Sequence, residues 1–278
     1  MEKLKAPKLE EAYTGPVLFE DLAVVRSFYT NFFSGDNSLI AQRKPFSAEG
    51  YSYGGNRMEE MIDKRITAKE TTIEDMTGTP EYKGVKLLGY VPFDAQAVIP
   101  PAKLTLVENG ILKTLLNDRV PTAKVPRSNG HSMLSMGAAS YTNTGVVRMS
   151  NTQMKSRDEL RNELFRSAKE EGYKYAYIVR NIDGTTPTEL YQINIADGTE
   201  KRIRSATITD LDLQAFKKIT AVSDKEMIYN GFAGNLISII TPDAVLFSEL
   251  QIQSDRVDNY RKPPVVGMKD NQDDGGND

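Results

Sequence analysis

Residues 102–119, "AKLTLVENGILKTLLNDR", set two apolar segments on either side of Asn109-Gly110. Asparagine and glycine both tolerate positive φ, which the two central residues of a type I′ turn require, so the pair marks an antiparallel hairpin. The stretch before it, "GYVPFDAQAVIPP" (89–101), is proline-rich. Proline has no N–H to give to a ladder, so this stretch should wrap a sheet edge rather than enter it. After the hairpin, residues 120–151 read as loop with short extended pieces, "VVRMSN" among them. "KYAYIVRNI" (174–182) and "TELYQINIADGTEKRIRSATI" (188–208) read as strands turning at Asp183-Gly184 and Asp197-Gly198. "NLISIITPDAVLFSELQIQS" (235–254) gives two more, broken at Thr241-Pro242.

Helices interrupt these strands. Residues 1–15 read as an irregular lead-in, and from Glu20 to Phe33 apolar residues recur every three or four positions, with Gly35 as a stop. Glu20 and Asp21 are expected to meet the free N–H groups of that helix. Residues 36–65 form a polar excursion with a short helix near Arg57 to Asp63. In "SRDELRNELFRSAKEEG" (156–172), Ser156 and Glu159 have the spacing of a capping box, Leu160, Leu164, Phe165 and Ala168 make the apolar stripe, and Gly172 ends the helix. Another short helix is expected over Leu213 to Ile219. Hairpins with few helices make an α+β fold: antiparallel strands in a twisted sheet or barrel-like core. The expected organisation is one domain over 1–268 and a flexible polar tail over 269–278, "KDNQDDGGND".

Composition removes several function classes. The 278 residues carry no cysteine and one histidine, His131. A thiol nucleophile, a disulfide framework and any cysteine-containing zinc site are therefore excluded, and a conventional catalytic zinc, which takes three protein ligands, would rest on one imidazole and carboxylates. A net charge of −3, with no basic stripe interleaved with aromatics, argues against nucleic acid. No apolar run approaches the roughly 20 residues that span a bilayer, and "MEKLKAPKLEEAYTG" is not a secretory leader. A cytoplasmic protein without membrane contact is expected. "GYSYGG" lacks the lysine and spacing of a phosphate loop, and no serine sits in a Gly-x-Ser-x-Gly elbow.

The candidate groove or ligand contacts are Asp36, Asp118, Arg119, His131, Arg148 and Asn151. His131 lies in a loop and is a possible base or ligand, or a locally bonded histidine. Arg119 has the planar fork that suits a carboxylate, or it pairs with Asp118.

In order, "ITAKETTIEDMTG" (66–78), "GYVPFDAQAVIPPAKLTLVENGILKTLLNDRVPTAKVP" (89–126) and "VVRMSNTQM" (146–154) resemble the C-terminal domain of the TldD/PmbA family. Its members were first named as candidate modulators of DNA gyrase and are understood as peptidases. The resemblance covers nearly the whole chain, and a full member would carry a further domain before residue 1. It implies a zinc helix bearing His-Glu-x-x-x-His and a third ligand, a cysteine, near the C-terminus. Laid on this sequence, "HEAVGHGLEGD" falls on "RSFYTNFFSGD" (26–36). Arg26 and Asn31 then stand at the histidine positions and Ser27 at that of the glutamate, while 248–266 offers no cysteine.

A guanidinium has no lone pair to donate, and a serine cannot deprotonate a metal-bound water. The resemblance therefore implies no catalytic residue, no zinc and no other cofactor: a metal-site-degenerate TldD/PmbA-like protein that binds a peptide or serves as a partner or scaffold subunit, as a homodimer or with a family partner. The alternatives are a hydrolase using His131, Asp118 and Arg119 or carboxylates near Asp36, and a purely structural assembly protein.

Overall fold

The computed structural model describes residues 6–34, 38–41, 57–134 and 140–254. The larger sheet runs in the order β10 (Met154–Lys155), β15 (Ile219–Ser223), β18 (Ala244–Ser254), β1 (Tyr13–Glu20), β11 (Tyr175–Asp183), β12 (Thr186–Asn194) and β13 (Glu200–Ile203). A further strand, β14 (Ala206–Ile208), also pairs with β18. The second sheet runs β16 (Glu226–Phe232), β17 (Leu236–Pro242), β9 (Val146–Asn151), β2 (Thr71–Asp75), β5 (Leu104–Glu108), β6 (Ile111–Leu112). Two small hairpins join β3 (Glu81–Tyr82) to β4 (Val85–Lys86) and β7 (Ser132–Leu134) to β8 (Ser140–Thr142). The pairs β1/β11, β10/β15 and β17/β9 are parallel and the others antiparallel. The helices are α1 (Leu22–Phe33), α2 (Arg57–Glu60) and α3 (Arg157–Glu170). The α+β architecture expected from the sequence is the observed one.

The hairpin at Asn109-Gly110 forms as read, with φ of 50° and 78° at the two turn residues. The lead-in is different. Tyr13 to Glu20 is a strand in the middle of the larger sheet, paired on one side with β18 and on the other with β11. Its register shifts between Gly15 and Val17, so Pro16 sits where the ladder is already broken and its missing N–H costs nothing. Along β1, Val17 and Phe19 enter the main core while Leu18 joins Leu160, Leu164 and Ala168 of α3 on the other face. A strand covered on both faces reads as a continuous apolar run without alternation, which "PVLF" is.

Helix α1 packs against β11 of one sheet and β17 of the other, so its apolar side is buried between them. Phe28 and Phe32 are fully buried, and Phe32, Phe216, Phe247 and Phe19 follow one another at ring separations of 4.8, 5.7 and 5.0 Å. Edge-on contacts of this kind add about 0.5–1.5 kcal/mol each beyond burial. The acidic start of α1 acts differently from expectation. Asp21 gives no side-chain cap and pairs with Arg157, while buried Glu20 takes Arg161 at 3.2 Å and Arg180 at 3.0 Å. The remaining differences are a 3-10 turn at Ala215–Lys218, α2 ending at Glu60, a strand break at Asp243, and the strands β2 and β16, where the sequence reading placed none.

The capping box of α3 is complete: Ser156 Oγ accepts from the Glu159 N–H and the Glu159 carboxylate accepts from the Ser156 N–H. Exchanging Ser156 for alanine should lower stability by about 1 kcal/mol, read from the midpoint of urea unfolding. An unchanged midpoint would mean that α3 is held by its apolar stripe alone.

Candidate functional site

The three positions singled out on α1 all turn their polar atoms onto backbone. Ser27 is buried and its hydroxyl donates to the Val24 carbonyl at 3.1 Å. Asn31 Nδ2 donates to the Ser27 carbonyl at 2.9 Å, one helical turn back. Arg26 is exposed and donates from Nη1 to the Ile182 carbonyl at 3.3 Å. Ser27 and Asn31 share a face, with Arg26 beside them.

Next to Arg26 lies an open groove of about 270 Å³ between α1, the β11–β12 turn and strands β16 and β17. Tyr29, Tyr229 and Phe232 wall it over the buried Ile182, Ile237 and Ile239, Arg26 and Asp183 are its charged groups, and more of its exposed surface is polar than apolar. Phe232 is 53% exposed.

Among the described residues, none of the other sequence candidates lines this groove. His131 is fully buried against Asp75, Nε2 to Oδ1 at 2.8 Å. Its Nδ1 meets Asn129 Oδ1 at 2.9 Å. The Asn129 amide is fixed in that orientation, because its Nδ2 donates to the Leu115 carbonyl at 2.9 Å and its Oδ1 accepts from the Asn117 N–H at 2.7 Å. Both ring nitrogens of His131 therefore face acceptors, and the hydrogen bonding assigns a doubly protonated, positively charged ring. Asp75 also accepts from Thr144 Oγ1 at 2.6 Å and from the Thr77 N–H at 2.9 Å. Burial by itself pushes the Asp75 pKa up. The charge of His131 and the hydrogen bonds from His131, Thr144 and Thr77 together override it and hold the carboxyl below the usual carboxylate range.

The remaining candidates serve separate local contacts. Buried Asp118 accepts from the Val120 N–H at 2.7 Å, and exposed Arg119 gives its backbone N–H to Gln96 at 2.8 Å. Arg148 on β9 bridges Glu226 at 2.7 Å and Glu74 at 3.3 Å and lies over the Tyr82 ring, tying the β3–β4 hairpin to the sheet. Asn151 donates to Thr71 Oγ1 at 3.0 Å and accepts from the Gln153 N–H at 2.7 Å. Asp36 lies outside the described residues, as does the tail over 269–278. Sequence reading passed over Asp75, Tyr29, Tyr229 and Phe232. Asp75 had one available signal, a carboxylate following the β-branched run "TTI"; the aromatic walls had none, since Tyr29 of α1 meets Tyr229 and Phe232 of β16 only in the folded chain.

Residues 15–254 match the family described as the PmbA/TldA metallopeptidase C-terminal domain. The chain belongs to this family. A zinc metalloprotease TldD homolog of Saccharolobus solfataricus is 31% identical over 157 residues, covering 55% of this chain and 29% of that protein. A metalloprotease of Methanothermobacter thermautotrophicus is 26% identical over 191 residues, 65% of this chain and 38% of its own length. The matches thus span well under half of these relatives. Among solved structures, TldE from Thermococcus kodakarensis superposes with a TM-score of 0.62 at 15% identity over 91% of this chain and 54% of that one. A Thermotoga maritima protein described as a candidate modulator of a DNA gyrase gives 0.59 at 17% identity, over 89% and 51%. At these identities the likeness is one of fold.

A metallopeptidase family implies a metal, and the donors of this TldD/PmbA domain do not fit one on α1. Arg26 brings a fixed positive charge, the Ser27 hydroxyl is spent on its own helix, and Asn31 is turned back onto the Ser27 carbonyl. Among the described residues no three His, Cys, Asp or Glu side chains cluster to hold a cation.

Proposed function

We propose that this TldD/PmbA domain is a non-catalytic member of its family, one domain over 1–268 that binds a peptide or serves as the partner subunit of a peptidase-type complex in the cytoplasm. The observation that carries the reading is the state of α1: Ser27 and Asn31 are closed on backbone carbonyls and Arg26 brings a fixed positive charge, yet the groove beside them stays open, with aromatic walls. Such a small groove, with one cation, one carboxylate and aromatic walls, holds a ligand without the means to cleave it. The hydrolase alternative built on His131 needs a free imidazole nitrogen to accept a proton, and neither nitrogen of His131 is free. Exposed Leu88, Phe93, Leu134 and Leu236 line a second, apolar depression, which supports the partner-subunit reading, and the TldE likeness in fold is in keeping with it. The relatives named as metalloproteases supply the family, and their activity is not carried over to α1.

Elemental analysis by plasma mass spectrometry on protein purified without chelator is the test. Zinc well below one equivalent after gel filtration is expected. Stoichiometric zinc retained through the column would overturn the proposal.

A further inference from the structure

We infer that the α1 groove is a carboxylate site, in which Arg26 takes the carboxylate of a peptide whose neighbouring apolar side chain fills the groove between Tyr29, Tyr229 and Phe232. This rests on the non-catalytic reading of the same groove and names what the groove holds.

The larger arginine networks of the fold are internally neutralised. Arg148, Arg157, Arg161 and Arg180 each contact at least one carboxylate. Arg26 makes no ion pair among the described residues; its one contact is a long bond from Nη1 to a backbone carbonyl, which leaves the rest of the guanidinium edge available. That edge presents parallel N–H donors whose spacing matches the two oxygens of a carboxylate. It lies exposed at the edge of an open groove walled by Tyr29, Tyr229 and Phe232. Asp183 is the one carboxylate lining the groove, and it makes no ion pair with Arg26. It therefore leaves Arg26 free while disfavouring a second negative charge on its side, so a single carboxylate at the Arg26 end is the charge the groove accepts. The volume of about 270 Å³ suits one or two side chains, which limits the occupant to a short piece of peptide.

The full chain is titrated calorimetrically with three probes: N-acetyl-Leu-Phe as the free acid, the same dipeptide as its amide, and N-acetyl-Glu-Phe amide. At least one carboxylate-bearing probe should bind about tenfold or more tighter than the neutral amide. Preference for the free acid assigns the carboxylate to a peptide C-terminus, and preference for the glutamyl amide assigns it to an acidic side chain. Arg26→Gln should abolish the preference and Arg26→Lys, which keeps the charge without the fork, should retain part of it. Asp183→Asn should tighten binding of the carboxylate probe, an effect a merely structural role for Arg26 would not produce. Equal binding of acid and amide, no binding of any probe, or a preference unchanged in Arg26→Gln would overturn the inference. Zinc content decides separately whether the site is metal-free, so failure of the carboxylate assignment and failure of the non-catalytic reading give different results.

Discussion

Replacing His131 with alanine is expected to lower the unfolding free energy by about 3–5 kcal/mol, because the change strands a buried carboxylate without its counter-charge. For a chain of this size that corresponds to roughly 6–20 °C in melting temperature. Both His131 and Asp75 are completely shielded from water. The interaction is therefore unscreened by salt, and the cost of the unpaired Asp75 cannot be relieved by hydration. Thr144 and the Thr77 N–H would still donate to the carboxylate, which keeps the loss finite. The double variant with Asp75→Ala should lose less than the sum of the two single losses, since no charge is then left behind.

The acid limb of the stability curve gives the same test a sign. The folded-state pKa of Asp75 is held below its ordinary value, so its contribution is fully present above an unfolded pKa of about 3.9 and disappears as pH falls through the folded value. In His131→Ala burial is no longer opposed by a positive charge, and the Asp75 pKa should rise above the unfolded one. The folded state then binds the extra proton, so acid should lessen the defect of the variant. Urea midpoints measured across pH 3–7 check this. A loss of stability under 1 kcal/mol at neutral pH, or the same pH slope in both proteins, would show that the pair is not charged.

Alanine at Gly89 or Gly145 should be comparably severe. A Cβ on Gly89 would stand 1.8 Å from the Gly145 carbonyl oxygen, and one on Gly145 would stand 2.1 Å from the Gly89 oxygen. The obstacle on each side is backbone, so no rotamer change relieves it. Overpacking usually costs about 1–3 kcal/mol, and two peptide segments in direct contact place these variants at about 3 kcal/mol or beyond. The damage would also spread, since the Gly145 carbonyl accepts from Ser238 at 2.8 Å and its N–H donates to Thr77 at 2.9 Å, beside Asp75. Soluble yield and the urea midpoint are the readouts. A Gly145→Ala protein with the wild-type midpoint would mean that the two segments are not in contact.

The sequence by itself determined what depends on neighbours along the chain. Asn109-Gly110 fixes its hairpin because the turn needs two positive φ values, and Ser156 with Glu159 fixes the start of α3 because a capping box closes within four residues. The absence of cysteine and the single histidine were likewise legible, since donor chemistry belongs to the side chain wherever it lies, whereas the register of α1 on a metal helix came from the family resemblance. Tertiary structure decided the rest. Residues 1–15 read as an irregular lead-in and no strand was expected before Glu20, and only the bulge against β18 shows how Pro16 is accommodated within one. His131 read as a loop residue, a possible base or ligand or a locally bonded histidine, and its role as the counter-charge of Asp75 arises from a contact between positions 56 residues apart. The groove beside Arg26 is also assembled from segments distant in sequence, α1, the β11–β12 turn and β16–β17. Local sequence specifies backbone conformation and the chemistry each residue can offer. Which groups lose water together, and so which charges must be paired, is set only when distant segments pack, because desolvation depends on the surroundings in space.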